Sequence, residues 1–163
     1  MIIRPAVPGD ELAVARVHVR AWQHGYRGLV PDAYLDSLRP DDRAARYTFG
    51  AGGAPFTSVA IDDDAVIVGF VTIKDDELAA LHVDPSAWRR GIGSALLAHA
   101  RTALTSSGVS RAWLHVLSGN TRARAFYEND AWHLVGEPTR DVVWGIEIEE
   151  LRYERSLAPA ARS

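Results

Sequence analysis

The stretch Trp88–Leu97, WRRGIGSALL, constrains the fold more than any other part of this chain. An apolar run, Glu77–Val83, precedes it, stopped by Asp84-Pro85. A helical segment follows in which Ile92, Leu96, Ala100, Ala103 and Leu104 share one face, with Leu97 near its edge. After SSG comes a second run of bulky apolar residues, Arg111–Leu117. Strand, helix and strand in this order form a crossover, and a link of this length joins parallel neighbours. The helix start is unusual in holding two glycines and two arginines. A helix N-terminus leaves its first N–H groups unpaired, and the macrodipole makes that end attractive to anions. Gly91 and Gly93 have no side chains to block a close approach, and Arg89 and Arg90 add charge at the rim. The stretch therefore reads either as an anion seat at a strand exit or as a loop, capped by a helix, with solvated arginines.

The flanking segments set the remaining architecture. MIIRPA reads as a first strand, and PGD announces a helix with Asp10 as its N-cap candidate. Leu12, Ala15, Val19, Trp22 and Tyr26 share one face of that helix, while Val14, Val17 and Ala21 make its opposite face apolar too, so it is expected to be covered on much of its surface. Pro31 opens a second short helix, and PDDRAARYTFGA supplies another turn or two. Phe56–Ile61 and Val66–Lys74, joined by the turn DDDA, predict a hairpin. Asn120 is an N-cap candidate for the short helix TRARAFYEND, and late strands lie near Trp132–Glu137 and Ile146–Arg155. Together these predict an α/β fold (α+β in some schemes) with a mixed, mostly antiparallel central sheet of about seven strands flanked by helices. One domain is expected over residues 1–157, with 158–163 as a flexible tail.

Composition removes several classes. The net charge of −3 gives no overall basic field for nucleic acid. The absence of cysteine excludes disulfides, thiolate metal sites and cysteine nucleophiles, and fits a reducing cytoplasm. No apolar stretch approaches the ~18 residues of a membrane span, and the N-terminus lacks a signal-peptide pattern. RRGIGS is neither GxxxxGK[ST] nor GxGxxG; HExxH and GxSxG are absent; DDDA lacks EF-hand spacing. No metal site is expected.

The segment LAALHVDPSAWRRGIGSALLAHA, followed by LHVLSGNTRARAFYENDAW, resembles the GNAT superfamily of acetyl-CoA-dependent N-acetyltransferases. The resemblance runs from about residue 1 to 155 and is strongest over 77–132. It implies a GNAT-like acyl-CoA N-acyltransferase fold, acetyl-CoA as cosubstrate, and acetyl transfer to a primary amine by direct attack in a ternary complex. A CoA-binding sensor without turnover is the alternative. The family motif Q/R-x-x-G-x-G/A, which holds the pyrophosphate, is matched by Trp88, Arg89, Arg90, Gly91, Ile92 and Gly93, with Ser94 next. Leu81, His82 and Val83 match the strand end whose backbone pairs with the pantetheine arm, and Asn120 matches an amide contact to the cofactor.

By this resemblance Tyr127 matches the family's general-acid position, with a core aromatic on its helix as the competing role. A phenol of pKa about 10 keeps its proton at neutral pH and can donate it toward a departing thiolate. Glu77 and His115 match two alternative positions for the general base. Trp22, Tyr26, Tyr34 and Tyr47 fall in the helical region that lines the family's acceptor site, where core packing competes as their role; Arg122 and Arg124 reach phosphate or are solvated. Two departures stand out: Trp88 replaces the usual Gln or Arg, and Ala131 replaces a late glycine. The expected partners are a small-molecule amine, a peptide N-terminus or a lysine side chain, with neither nucleic acid nor membrane, and a homodimer through the late strands is compatible with the resemblance.

Overall fold

The computed structural model describes residues 1–143 and 145–157. Its elements run β1 (Ile2–Pro5), α1 (Glu11–Gly25), α2 (Asp32–Ser37), α3 (Pro40–Ala44), β2 (Phe56–Ile61), β3 (Ile67–Lys74) and β4 (Glu77–Val83). A single 3-10 turn at Pro85–Ala87 leads into α4 (Ile92–Ser106), β5 (Arg111–Leu117), α5 (Thr121–Asn129), β6 (His133–Val143) and β7 (Ile146–Ser156). The described strands form one seven-stranded sheet in the order β1-β2-β3-β4-β5-β7-β6. The tail expected to be flexible, 158–163, lies outside the described residues.

The crossover through α4 makes β4 and β5 parallel, as its length requires, whereas every other neighbouring pair is antiparallel. The parallel pairing is brief. Glu77 opposite Trp113 is its one register pair, supported by the Trp113 N–H donating to the Asp76 carbonyl at 3.2 Å. Beyond that point the two strands part, and the sheet opens at its centre.

Strand alternation divides the core between two layers. Val59 and Phe70 face α1, packing with Ala6, Val14 and Val17. Their neighbours Ala60 and Val71 face α4, packing with Ile92, Leu96, Leu97 and Ala100. Leu96 and Leu97 are fully buried, so each contributes roughly 1.5–3 kcal/mol of apolar transfer to holding α4 on the sheet. On α1, Val14, Ala15, Val17, His18, Val19 and Ala21 are all buried, matching the expectation of a helix covered on much of its surface. Among the described residues no helix is long and apolar enough to cross a membrane.

Three local expectations change. Asp10 stands at the N-cap position of α1 but makes no capping bond; its carboxylate instead accepts from Arg4 at 2.7 Å and from the Val7 N–H at 2.9 Å. β6 runs past Glu137 to Val143, because its outer half pairs with β7 again from Thr139 opposite Glu150 after an irregularity. Alternating charge, with Arg140 paired to Glu147 at 3.1 Å, carries that half, and an apolar pattern does not detect it. Ala131 keeps the turn a glycine would make, by adopting φ +65°.

Candidate active site

The gap between β4 and β5 is a cavity of about 840 Å³, bounded by α1, the start of α4, α5 and the first residues of β7. Its two ends differ chemically.

One end is the N-terminus of α4. Gly91 is its N-cap and sits in the left-handed region at φ +76°, where a side chain is strained even though a Cβ there would meet nothing within 4 Å. Gly93 is different: its backbone is ordinary, and a Cβ would touch the Phe126 ring at 3.5 Å, a normal van der Waals distance. The first turn of α4 carries no acidic side chain to compete with an anion. Arg89 also has positive φ, +64°, and lines the cavity with Gly91, Ile92, Gly93 and Ser94. Arg90 is exposed and is not part of the cavity wall.

Trp88 fills the place of the expected polar residue in another way. Its Nε1–H donates to the Val83 carbonyl at 2.8 Å, fastening the loop to the end of β4. Its ring also carries the Arg122 guanidinium, whose central carbon lies 3.4 Å from the ring centroid. Burial, and then the charge of Arg89, hold the Arg122 pKa below its ordinary value. Two cations thus converge where an anion would be welcome. Arg124 serves the structure instead, donating to the Tyr153 hydroxyl and to the Ser118 carbonyl, each at 3.2 Å. Asn120 caps α5 by accepting from the Ala123 N–H at 3.2 Å, and it also lines the cavity.

The other end gathers titratable groups. Tyr127 projects from α5 and is 8% exposed. Burial raises its hydroxyl pKa further above the ordinary phenol value, with nearby Tyr26 adding to the shift. Tyr26 is itself pushed up to about 12, first by burial and then by the charge of Glu150. Both phenols are therefore firmly protonated at neutral pH. His115 of β5 also lines the cavity, with Nδ1 3.9 Å from Glu150 Oε2 of β7. Burial raises the Glu150 carboxyl pKa, against a smaller opposing effect of His115. Glu77 is raised by burial too, but it stands at the paired base of the opening and is not part of the cavity wall.

Glu150 was missed in the sequence. Its signal is the two-residue phase of Ile146, Ile148 and Glu150, which places a carboxylate on the half-buried face of β7.

Beyond these groups, Leu81, His82 and Val83 form the β4 wall, with Trp22, Tyr26 and Tyr34 opposite. Tyr47 belongs to the core beside α1, where its hydroxyl lies 2.9 Å from His18 Nδ1. The His82 ring also faces the cavity, 4.7 Å from the His18 ring. Burial, followed by the charge of Arg43, depresses the His82 pKa to about 4, so it is neutral at physiological pH.

A mixed sheet split at its one parallel pair, with a glycine-led helix aimed at the split, is the acyl-CoA N-acyltransferase architecture. Residues 18–131 match the model of the acetyltransferase (GNAT) family, and the chain belongs to that family. It is 27% identical over 158 residues to YuaI, an uncharacterized N-acetyltransferase of Bacillus subtilis, covering 91% of this chain and 89% of that one. It is 33% identical over 85 residues to the ribosomal protein bS18-alanine N-acetyltransferase of Salmonella typhimurium, covering 50% of this chain and 57% of that one. Its fold matches yncA from Salmonella typhimurium, solved with its cofactor acetyl-CoA, at a TM-score of 0.74 and 18% identity, covering 100% of this chain and 97% of that one.

Proposed function

We propose that this protein transfers the acetyl group of acetyl-CoA to a primary amine by direct attack in a ternary complex. The observation that carries this reading is the continuous cavity between β4 and β5, which runs from the α4 N-terminus to Tyr127, His115 and Glu150. The N–H groups at the start of α4, with Arg89 and Arg122, hold the pyrophosphate. The unpaired edge of β4 near Leu81–Val83 offers backbone groups to the pantetheine amides.

The attacking amine must first lose a proton, because an ammonium has no lone pair. Glu150 and His115 face the cavity together and receive that proton. The nitrogen then bonds to the thioester carbon, negative charge develops on the carbonyl oxygen, and the C–S bond breaks as the oxyanion collapses. A thiol of pKa about 8.5 is a stronger acid than a phenol of pKa about 10, before any effect of burial. Tyr127, raised further by burial, thus stabilises the departing thiolate chiefly as a hydrogen-bond donor. The bonded nitrogen sheds a second proton as the amide forms; of the two protons the ammonium gives up, one goes to the sulfur and the other leaves to solvent.

The test is thiol release from acetyl-CoA with a panel of amines. Tyr127→Phe is expected to lower kcat by about a hundredfold while leaving acetyl-CoA affinity near wild type. Equal turnover by the variant removes the donor role. Binding of acetyl-CoA with thiol release never above buffer, for any amine, makes the protein a sensor instead.

A further inference from the structure

Trp88 does more than fill the place of a missing Gln or Arg. The half-buried side chain is fixed from two directions. Its Nε1–H donates to the Val83 carbonyl at 2.8 Å, and its ring meets the His24 ring of α1 edge-on, with centroids 4.8 Å apart. Val83 and Phe126 flank the first turn of α4: a Cβ on Gly93 would lie 3.5 Å from the Phe126 ring and 3.8 Å from a Val83 methyl. Phe126 follows Arg122 by four residues on α5, so the two share a helix face. The Arg122 guanidinium carbon, 3.4 Å from the Trp88 ring centroid, is at face-to-face contact distance. These contacts close a circuit around the α4 N-terminus: β4, the loop, α5 and α4 itself. A partner on the face of a guanidinium has a consequence that an ion pair lacks. All five N–H donors lie in the plane of the group, so stacking leaves them free, whereas a carboxylate would occupy two. Among the described residues, no carboxylate and no hydrogen bond engages Arg122. Arg124, two residues on, spends its donors on Tyr153 and Ser118. The charge of Arg89 opposes that of Arg122 here, and the negative ring face of Trp88 offsets part of the repulsion.

We propose that Trp88 is a positioning residue for the acyl donor: its ring face sets Arg122 beside the α4 N-terminus with the N–H edge of the guanidinium free for the diphosphate. This rests on the N-acetyltransferase reading above and deepens it at the donor end. The polar side chain lost from the loop is replaced by a cation from α5, the helix that also carries Tyr127. Trp88 touches no phosphate itself; it acts through Arg122.

The experiment is a double-variant cycle read by calorimetric titration of CoA into the full chain, so it needs no knowledge of the acceptor. Trp88→Leu and Arg122→Met are each expected to raise the Kd for CoA about tenfold. The double variant should bind no more weakly than Arg122→Met alone, because the ring acts only through the guanidinium. Trp88→Phe keeps a ring face, loses the bond to Val83, and should recover part of the affinity. Arg122→Lys leaves Trp88 untouched and keeps the charge without the planar fork; it should raise the Kd about threefold, and it carries the test should Trp88→Leu fail to fold. Losses that add in the double variant show Trp88 serving the loop alone and overturn the inference. Wild-type affinity in Trp88→Leu or in Arg122→Lys overturns it as well. In each of these cases wild-type protein still binds CoA, and the transfer reading stands. Wild-type protein that binds no CoA overturns the transfer reading and this inference with it.

Discussion

The turn after α5 supplies a stability prediction that the structure makes quantitative. Ala131 adopts φ +65°, a conformation that costs an L-residue roughly 1–2 kcal/mol. Its methyl group is exposed, so removing it forfeits no packing. The turn's hydrogen bonds belong to the backbone: the Ala131 N–H donates to the Glu128 carbonyl and the Trp132 N–H to the Tyr127 carbonyl, each at 3.1 Å. Glycine makes both without strain, but loses about 0.5–1 kcal/mol through its greater freedom in the unfolded chain. The Ala131→Gly variant is therefore expected to be more stable by about 0.5–1 kcal/mol. In a chain of this length that is a rise in Tm of about 1–4 °C. Buried Trp132 reports unfolding through its fluorescence, and urea titration should move the midpoint without changing the slope. Turnover should stay at the wild-type level, because the Tyr127 carbonyl keeps its partner. A variant no more stable than wild type, or less so, refutes the claim that this alanine is held under strain.

Two further outcomes follow from the cavity. Gly91→Ala should cost about 0.5–1 kcal/mol of stability and weaken acetyl-CoA binding, whereas Gly93→Ala should fold like wild type, since its new Cβ meets the Phe126 ring at an ordinary distance; equal losses of stability in the two variants would contradict the distinction. Glu150→Gln should slow transfer, remove the acidic limb of the pH–rate profile and raise stability at neutral pH. The sign follows from burial, which raises the folded-state pKa: the stability from this carboxyl is fully present below its unfolded value of about 4.3 and is lost as pH rises through the folded value, so the ionised group is a net cost at pH 7. The limb itself should lie above the usual carboxylate range, and unchanged pH–rate profiles would exclude Glu150 as the proton acceptor.

Much of the fold was legible because its signals are local. The bounds of β2, β4 and β5 follow from apolar runs closed by turn residues, and the crossover between β4 and β5 follows from the length of what joins them. The α4 N-terminus was legible for the same reason, since glycines, arginines and an apolar helix face lie within a few residues. Glu150 and Arg43 were not. Glu150 reaches the cavity only because β7 inserts between β5 and β6, setting it opposite Leu117 at the end of β5. Arg43 arrives on a five-residue helix with no buried residue of its own, placed by what it packs against and not by periodicity. Trp88 was legible as a departure but not as a replacement, because its hydrogen bond to Val83 and its contact with Arg122 depend on how the loop returns over the strand end.

The division of labour between the two cavity ends also explains why the sheet opens where it does. Had β4 and β5 stayed paired beyond Glu77 and Trp113, their facing backbone groups would have satisfied one another. The divergence leaves those groups facing a cavity, a costly arrangement unless water or a ligand with amides of its own takes their place. The core layer beneath supports the opening: Leu78, Leu114 and Val116 are buried in the cluster that includes α4, and Leu78 and Val116 also line the cavity. A substitution that shrinks Leu78 or Val116 thus acts on the width of the opening as well as on stability. On the proposed function, the acyl donor and the acceptor would meet at a gap whose walls include Leu78 and Val116 of that same packed cluster, so core packing and site width are set by shared side chains.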